Sequence, residues 1–145
     1  MLMKQGLLPL LFALVLLPAG SAMAEQKKTL GDWDVHYIVL NTPFLTPDVA
    51  KSYGIVRSKF NALVNISVLD KDTGKAQRAA LSGSATNLIG TKRDLSFKKV
   101  EEGDAIYYLA VLPFRDAETY RFNVDIQQGE KRQTLTFSQK MYVDE

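Results

Sequence analysis

The sequence predicts an all-β protein: an antiparallel, immunoglobulin-like β-sandwich of about seven strands, with one short helix in the connection between the first two. Three observations carry this. From Leu30 onward apolar side chains recur at every second residue, the period of half-buried strands. Turn residues separate the apolar runs at intervals of roughly 8 to 15 residues, a sandwich-like spacing. About 120 residues follow an apolar N-terminal segment, enough for two packed sheets around one core.

The elements follow in order. Trp33, Val35, Tyr37 and Val39 alternate with Asp32, Asp34, His36 and Ile38 in a first strand with one clearly apolar face. Thr46 is placed to cap a short helix that opens with Pro47, carries Asp48 in its first turn and stops before Gly54. That helix lies inside a connection, residues 41–61, longer than ordinary loops. Val64, Ile66 and Val68 alternate with Leu63, Asn65 and Ser67 ahead of a turn at Asp70, Asp72 and Gly74. Residues 78–86, built from Ala, Ser and Gly, make a weak strand expected at an edge or packed closely against a neighbour. Leu95 and Phe97 belong to a short fourth strand, and residues 101–104 to a charged turn. Residues 105–112 are apolar on both faces, as in a central strand covered on both sides. Tyr120, Phe122, Val124 and Ile126 form the cleanest amphipathic strand, and Leu135, Phe137, Met141 and Val143 the last. Trp33, Phe122 and Phe137 are the leading core candidates.

Residues 1–24 have the parts of a secretory signal: Lys4, an apolar run from Leu7 to Leu17, and a small-residue exit at Ser21, Ala22 and Ala24. The run is about half of what spanning a bilayer needs, so cleavage after Ala24 is expected, leaving 25–145 as a single domain exported to the periplasm without stable membrane insertion. That mature part has 121 residues, with 17 basic against 16 acidic groups. Near-neutrality gives no electrostatic case for nucleic acid. Without cysteine there is no disulfide framework, thiolate nucleophile or iron–sulfur ligand set. A single histidine excludes His-rich metal sites and leaves one imidazole base, and no cofactor is indicated.

Two candidate sites emerge. Phe44, Thr46, Tyr53, Arg57 and Lys59 concentrate aromatic groups and cationic donors in the long connection, which reads either as a contact surface or as a plug over the end of the sandwich. Asp32, Asp34 and His36 share one strand face and form the weaker candidate, a divalent-metal or acid/base site. Same-face neighbours along a strand lie about 6.5–7 Å apart, wide for three ligands to one ion. The hydroxyl cluster at Ser82, Ser84 and Thr86 has no adjacent base. Asn65, if buried, needs a partner, expected in the 41–61 connection. Tyr107 and Tyr108 point to opposite faces, so at most one belongs to the sandwich core.

Residues 41–59, 63–69, 83–88 and 102–109 together resemble a family of small exported bacterial proteins classed as a domain of unknown function. The resemblance spans the mature chain and implies an exported, all-β, single-domain protein. It carries no activity, cofactor or catalytic residue with it. The expectation is a non-catalytic binding or protein-interaction module with an unidentified protein or small-molecule partner. Its alternatives are a small metal-assisted hydrolase using Asp32, Asp34 and His36, or an assembly protein pairing through residues 78–86 as an edge strand.

Overall fold

The computed structural model describes residues 25–143; the export signal expected at 1–24 lies outside them. Strands β1 (Gln26–Leu30), β2 (Trp33–Asn41), β3 (Asn61–Asp70), β4 (Ala80–Asn87), β5 (Lys92–Leu95), β6 (Lys98–Glu102), β7 (Ala105–Pro113), β8 (Glu118–Gln128) and β9 (Lys131–Met141) build two sheets. The first is ordered β1-β2-β3-β7-β6 and the second β5-β4-β8-β9, with every pairing antiparallel. The fold is an all-β sandwich, as expected from the period-two pattern.

The strands number nine rather than seven. The two additions, β1 (QKKTL) and β6 (KKVEE), are edge strands whose charged side chains hide the alternation. Lysine and glutamate on an edge discourage pairing with another chain. Residues 78–86 are not an edge. Along β4 the neighbours are β8 on one side and, over residues 83–86, β5 on the other. Close packing explains the small residues: a Cβ on Gly83 would lie 2.5 Å from the Asn123 carbonyl oxygen. The edge-strand assembly alternative therefore loses most of the strand it named, since, of the β4 residues in it, only 80–82 have no β5 pairing.

Between the sheets, Trp33, Val35, Ile66, Val68, Tyr120, Phe122, Val124 and Ile126 are buried. Each such side chain contributes about 1.5–3 kcal/mol through burial. Phe137 is half-buried, its ring stacked between Tyr37 (4.4 Å) and Phe122 (4.6 Å). Tyr108 joins this core. Its hydroxyl accepts from Ala79 N and donates to Gln77 O at the rim.

The outer face of the first sheet carries a second core. Ile38, Leu40, Leu63, Tyr107 and Leu109 are covered there by Leu45, Ala50, Tyr53 and Ile55 of the long connection. Both tyrosines of the 107–108 pair are thus buried, one in each core, because β7 is apolar on two faces and both faces are covered. The connection is built as its residues dictate. After a 3-10 turn (Thr42–Phe44), helix α1 (Pro47–Ser52) starts with Thr46 Oγ1 accepting from Val49 N and ends before Gly54 at φ +71°. Buried Thr42 donates to Ser58 O and accepts from Ser58 N, closing the segment at its base. No helix of the described residues is long and apolar enough to cross a membrane.

Candidate functional site

The outer face of the first sheet has a closed half and an open half. Cross-strand register sets Leu40 beside Leu63, Ile38 beside Asn65, His36 beside Ser67 and Asp34 beside Leu69. The connection covers the Leu63 end. Around His36, Ser67, Leu69 and Tyr107 the face opens into a cleft of about 790 Å³.

The cleft's walls come from local turn chemistry. On one side Asp70 Oδ1 accepts from the backbone N–H groups of Asp72 (2.8 Å) and Thr73 (2.9 Å), folding the 70–76 segment so that Gly74, Lys75 and Ala76 face the opening. Those N–H donors hold the Asp70 carboxyl below its ordinary range. Across the cleft runs the β6–β7 turn with Glu101, Gly103 and Asp104. Arg78 bridges the walls with a two-point grip on Glu101, Nε to Oε2 at 3.1 Å and Nη2 to Oε1 at 2.9 Å. With Lys99 also 3.2 Å away, the Glu101 carboxyl is held below the usual carboxylate range.

At the floor, Glu25 Oε2 lies 2.9 Å from His36 Nδ1, both side chains about a quarter exposed. Burial pushes the neighbouring Tyr107 phenol up to about 12, reinforced by the Glu102 and Glu25 carboxylates. Tyr53 donates to Glu102 Oε1 at 2.9 Å, and its own phenol is raised by burial and by that carboxylate. The arrangement places one imidazole, one guanidinium, one ammonium and several carboxylates around apolar walls, a surface able to pair with both signs of charge.

Asp34 and His36 keep the same outer face of β2, but Asp32 leaves the strand. Gly31, at φ +60°, and Asp32 form the two-residue turn between β1 and β2, so β2 begins only at Trp33. Asp32 pairs with Lys131 (3.3 Å), Asp34 accepts from Thr29 Oγ1 (2.7 Å), and the carboxylate partner of His36 is Glu25. No group of three or more His, Cys, Asp or Glu among the described residues is placed to hold an ion. Of the connection residues, Thr46 is the helix cap, Tyr53 is buried against Glu102, and Phe44 packs half-buried on the second core. Arg57 is exposed and donates to Pro43 O, while Lys59 lies over the Phe60 ring. The connection covers the outer face of a sheet, not an end of the sandwich.

Asn65 is fully buried beside Ile38 and Leu109, and neither its Oδ1 nor its Nδ2 has a hydrogen-bond partner; the expected bond to the connection is not made. Glu25, Ser67, Arg78, Glu101 and Tyr107 were not foreseen as site residues. One signal pointed toward Glu25: Gly31-Asp32 between Leu30 and Trp33 is a hairpin signature that implies a strand before it.

Comparison with known proteins places this architecture. No protein of curated function matches the chain. The model of the domain of unknown function DUF4426 matches residues 27–144. The crystal structure of a DUF4426 family protein from Pseudomonas aeruginosa PAO1 superposes with a TM-score of 0.74 at 40% identity, covering 83% of this chain and 97% of its own. FetP of uropathogenic Escherichia coli strain F11, recombinantly expressed in the periplasm of E. coli, superposes at 0.59 with 14% identity, over 83% of this chain and 95% of its own. A copper-bound variant of FetP gives the same score and identity over 85% and 93%. At that identity FetP shares the fold alone. The matched span and the Pseudomonas relative together show that this chain belongs to the DUF4426 family.

Proposed function

We propose that the chain is an exported, periplasmic, non-catalytic binding module that takes a small polar ligand of mixed charge into the open half of the first sheet's outer face. The observation that carries this is the cleft of about 790 Å³, where His36, Arg78, Lys75 and the carboxylates of Glu25, Glu101 and Asp104 converge on apolar walls. A zwitterionic molecule such as a short peptide matches such a surface at both of its ends.

Binding is favoured over catalysis by the state of His36. Its Nδ1 is engaged by Glu25, yet its cross-strand neighbour Ser67 makes no hydrogen bond to the ring, so no nucleophile and base are joined. A copper site built on several imidazole, thiolate or thioether ligands does not fit the residues present. The chain has one histidine and no cysteine, and its only described methionine, Met141, is buried between the sheets.

The test is a thermal-shift screen of the periplasmically purified protein with dialanine, its lysine- and glutamate-containing analogues, and copper(II). The proposal expects stabilisation by one or more dipeptides, lost in Arg78→Ala and His36→Ala. Stabilisation by copper(II) alone, or by no probe, contradicts it.

A further inference from the structure

The strand registers gather one set of strand ends: the C-termini of β2, β4, β7 and β9 and the N-termini of β3, β5 and β8. Asn41 Nδ2, donating to Tyr142 O, ties the two sheets together there. This end differs sharply from the other. Phe60 (52% exposed), Leu88 (81%), Ile89 (88%) and Tyr142 (54%) all project from it. The opposite end is made of the Gly31-Asp32, 71–75, 103–104 and 129–130 turns, and among the described residues it exposes no large apolar side chain.

The apolar tip is built, not frayed. Asn87 Oδ1 accepts from Ile89 N (3.2 Å) and Thr91 N (2.8 Å), and Asn87 Nδ2 donates to Glu118 Oε2 (2.8 Å). Gly90, at φ +89°, closes the turn with its N–H on Asn87 O (3.1 Å). A side-chain network thus holds two aliphatic residues in solvent.

Charge follows the same division. The ion pairs Lys27–Asp34, Arg78–Glu101, Lys99–Glu101 and Lys131–Asp32 lie away from this tip. Lys59, Lys92, Arg115 and Lys140, which flank the apolar residues, belong to none of them. Two acids share the tip and keep their charge, Asp116 accepting from Val143 N and Glu118 from Arg115 N and Asn87, so these four cations outnumber them by two.

We infer that this end docks on an anionic phospholipid surface, with Leu88, Ile89, Phe60 and Tyr142 entering the interface and Lys59, Lys92, Arg115 and Lys140 meeting the headgroups. Separate protrusions flanked by more cations than acids suit a deformable, negatively charged layer, which needs no matching shape. Aromatic rings with a cation over them, Phe60 under Lys59 and Tyr142 under Lys140, suit its headgroup zone. The contact is peripheral, and it leaves the cleft, near the opposite end, open.

Sedimentation of the periplasmically purified protein with phosphatidylglycerol-containing vesicles, against phosphatidylcholine alone, tests this. Binding is expected to the anionic vesicles, to weaken with salt, and to fall about tenfold or more in both L88S/I89S and K59E/K92E. Circular dichroism checks that the exposed substitutions leave the fold intact. Absence of binding, or binding undiminished in both variants, overturns the inference. So does a self-association seen by analytical ultracentrifugation and lost in L88S/I89S, which assigns the tip to a second copy.

Discussion

Tyr53, in the long connection, donates its phenol to Glu102 of β6 at 2.9 Å, and this bond marks the border between the sealed and open halves of the first sheet's outer face. On one side of it lies the second core, on the other the cleft. Tyr53→Ala removes a buried ring and is predicted to cost about 3–5 kcal/mol, whereas Tyr53→Phe loses only the hydrogen bond, about 1 kcal/mol. Urea unfolding of both variants checks this ordering. Equal, negligible losses would mean that the connection does not hold the sheet face.

Asn65 is predicted to be a weak point of the fold. Its amide is fully buried with no partner, a condition that costs about 1–3 kcal/mol. Asn65→Val should therefore raise stability by about 1 kcal/mol, read as a higher urea midpoint at unchanged slope. A loss of stability would show that the amide is held by a bound water or ligand.

Gly83→Ala should destabilise by about 1–3 kcal/mol, because the added methyl meets the β8 backbone rather than a movable side chain. A Gly83→Ala protein as stable as the parent would contradict the β4–β8 packing.

The buried tyrosines set an alkaline limit. Burial raises Tyr37, Tyr53, Tyr107 and Tyr108, with Tyr107 at about 12 against 10.0 for a free phenol. A phenol raised in the folded state stabilises fully below the unfolded value of 10.0 and loses that contribution as pH climbs through about 12. Stability should hold up to about pH 10 and then decline, with phenolate absorbance appearing in step with unfolding. Ionisation of Tyr37, Tyr53, Tyr107 and Tyr108 near the free value, without unfolding, would contradict the two-core packing.

What could be read from sequence follows from where each signal resides. The Tyr120 to Ile126 alternation and the Thr46, Pro47 and Gly54 signals are local, and the structure reproduces both as β8 and α1. β1 and β6 were hidden because edge strands replace apolar alternation with lysine and glutamate. β4 was ambiguous because small residues suit both an edge and a tightly packed interior, and only tertiary contact decides. His36 was recognised, but Glu25, Ser67 and Arg78 come from three other segments that the topology, not any motif, brings to it. On the outer face of β2, Ile38 and Leu40 give little warning in the sequence that a distant loop covers them.

The central claim is that the open half of this sheet face, and not the connection that seals the other half, receives the ligand. Amide chemical-shift mapping on the labelled protein, titrated with the dipeptide that most raises its thermal midpoint, tests it directly. Shifts gathered at Ser67, Ala76, Arg78 and Tyr107 are predicted. Shifts gathered instead at Phe44, Arg57 and Lys59, with the cleft silent, would contradict the account.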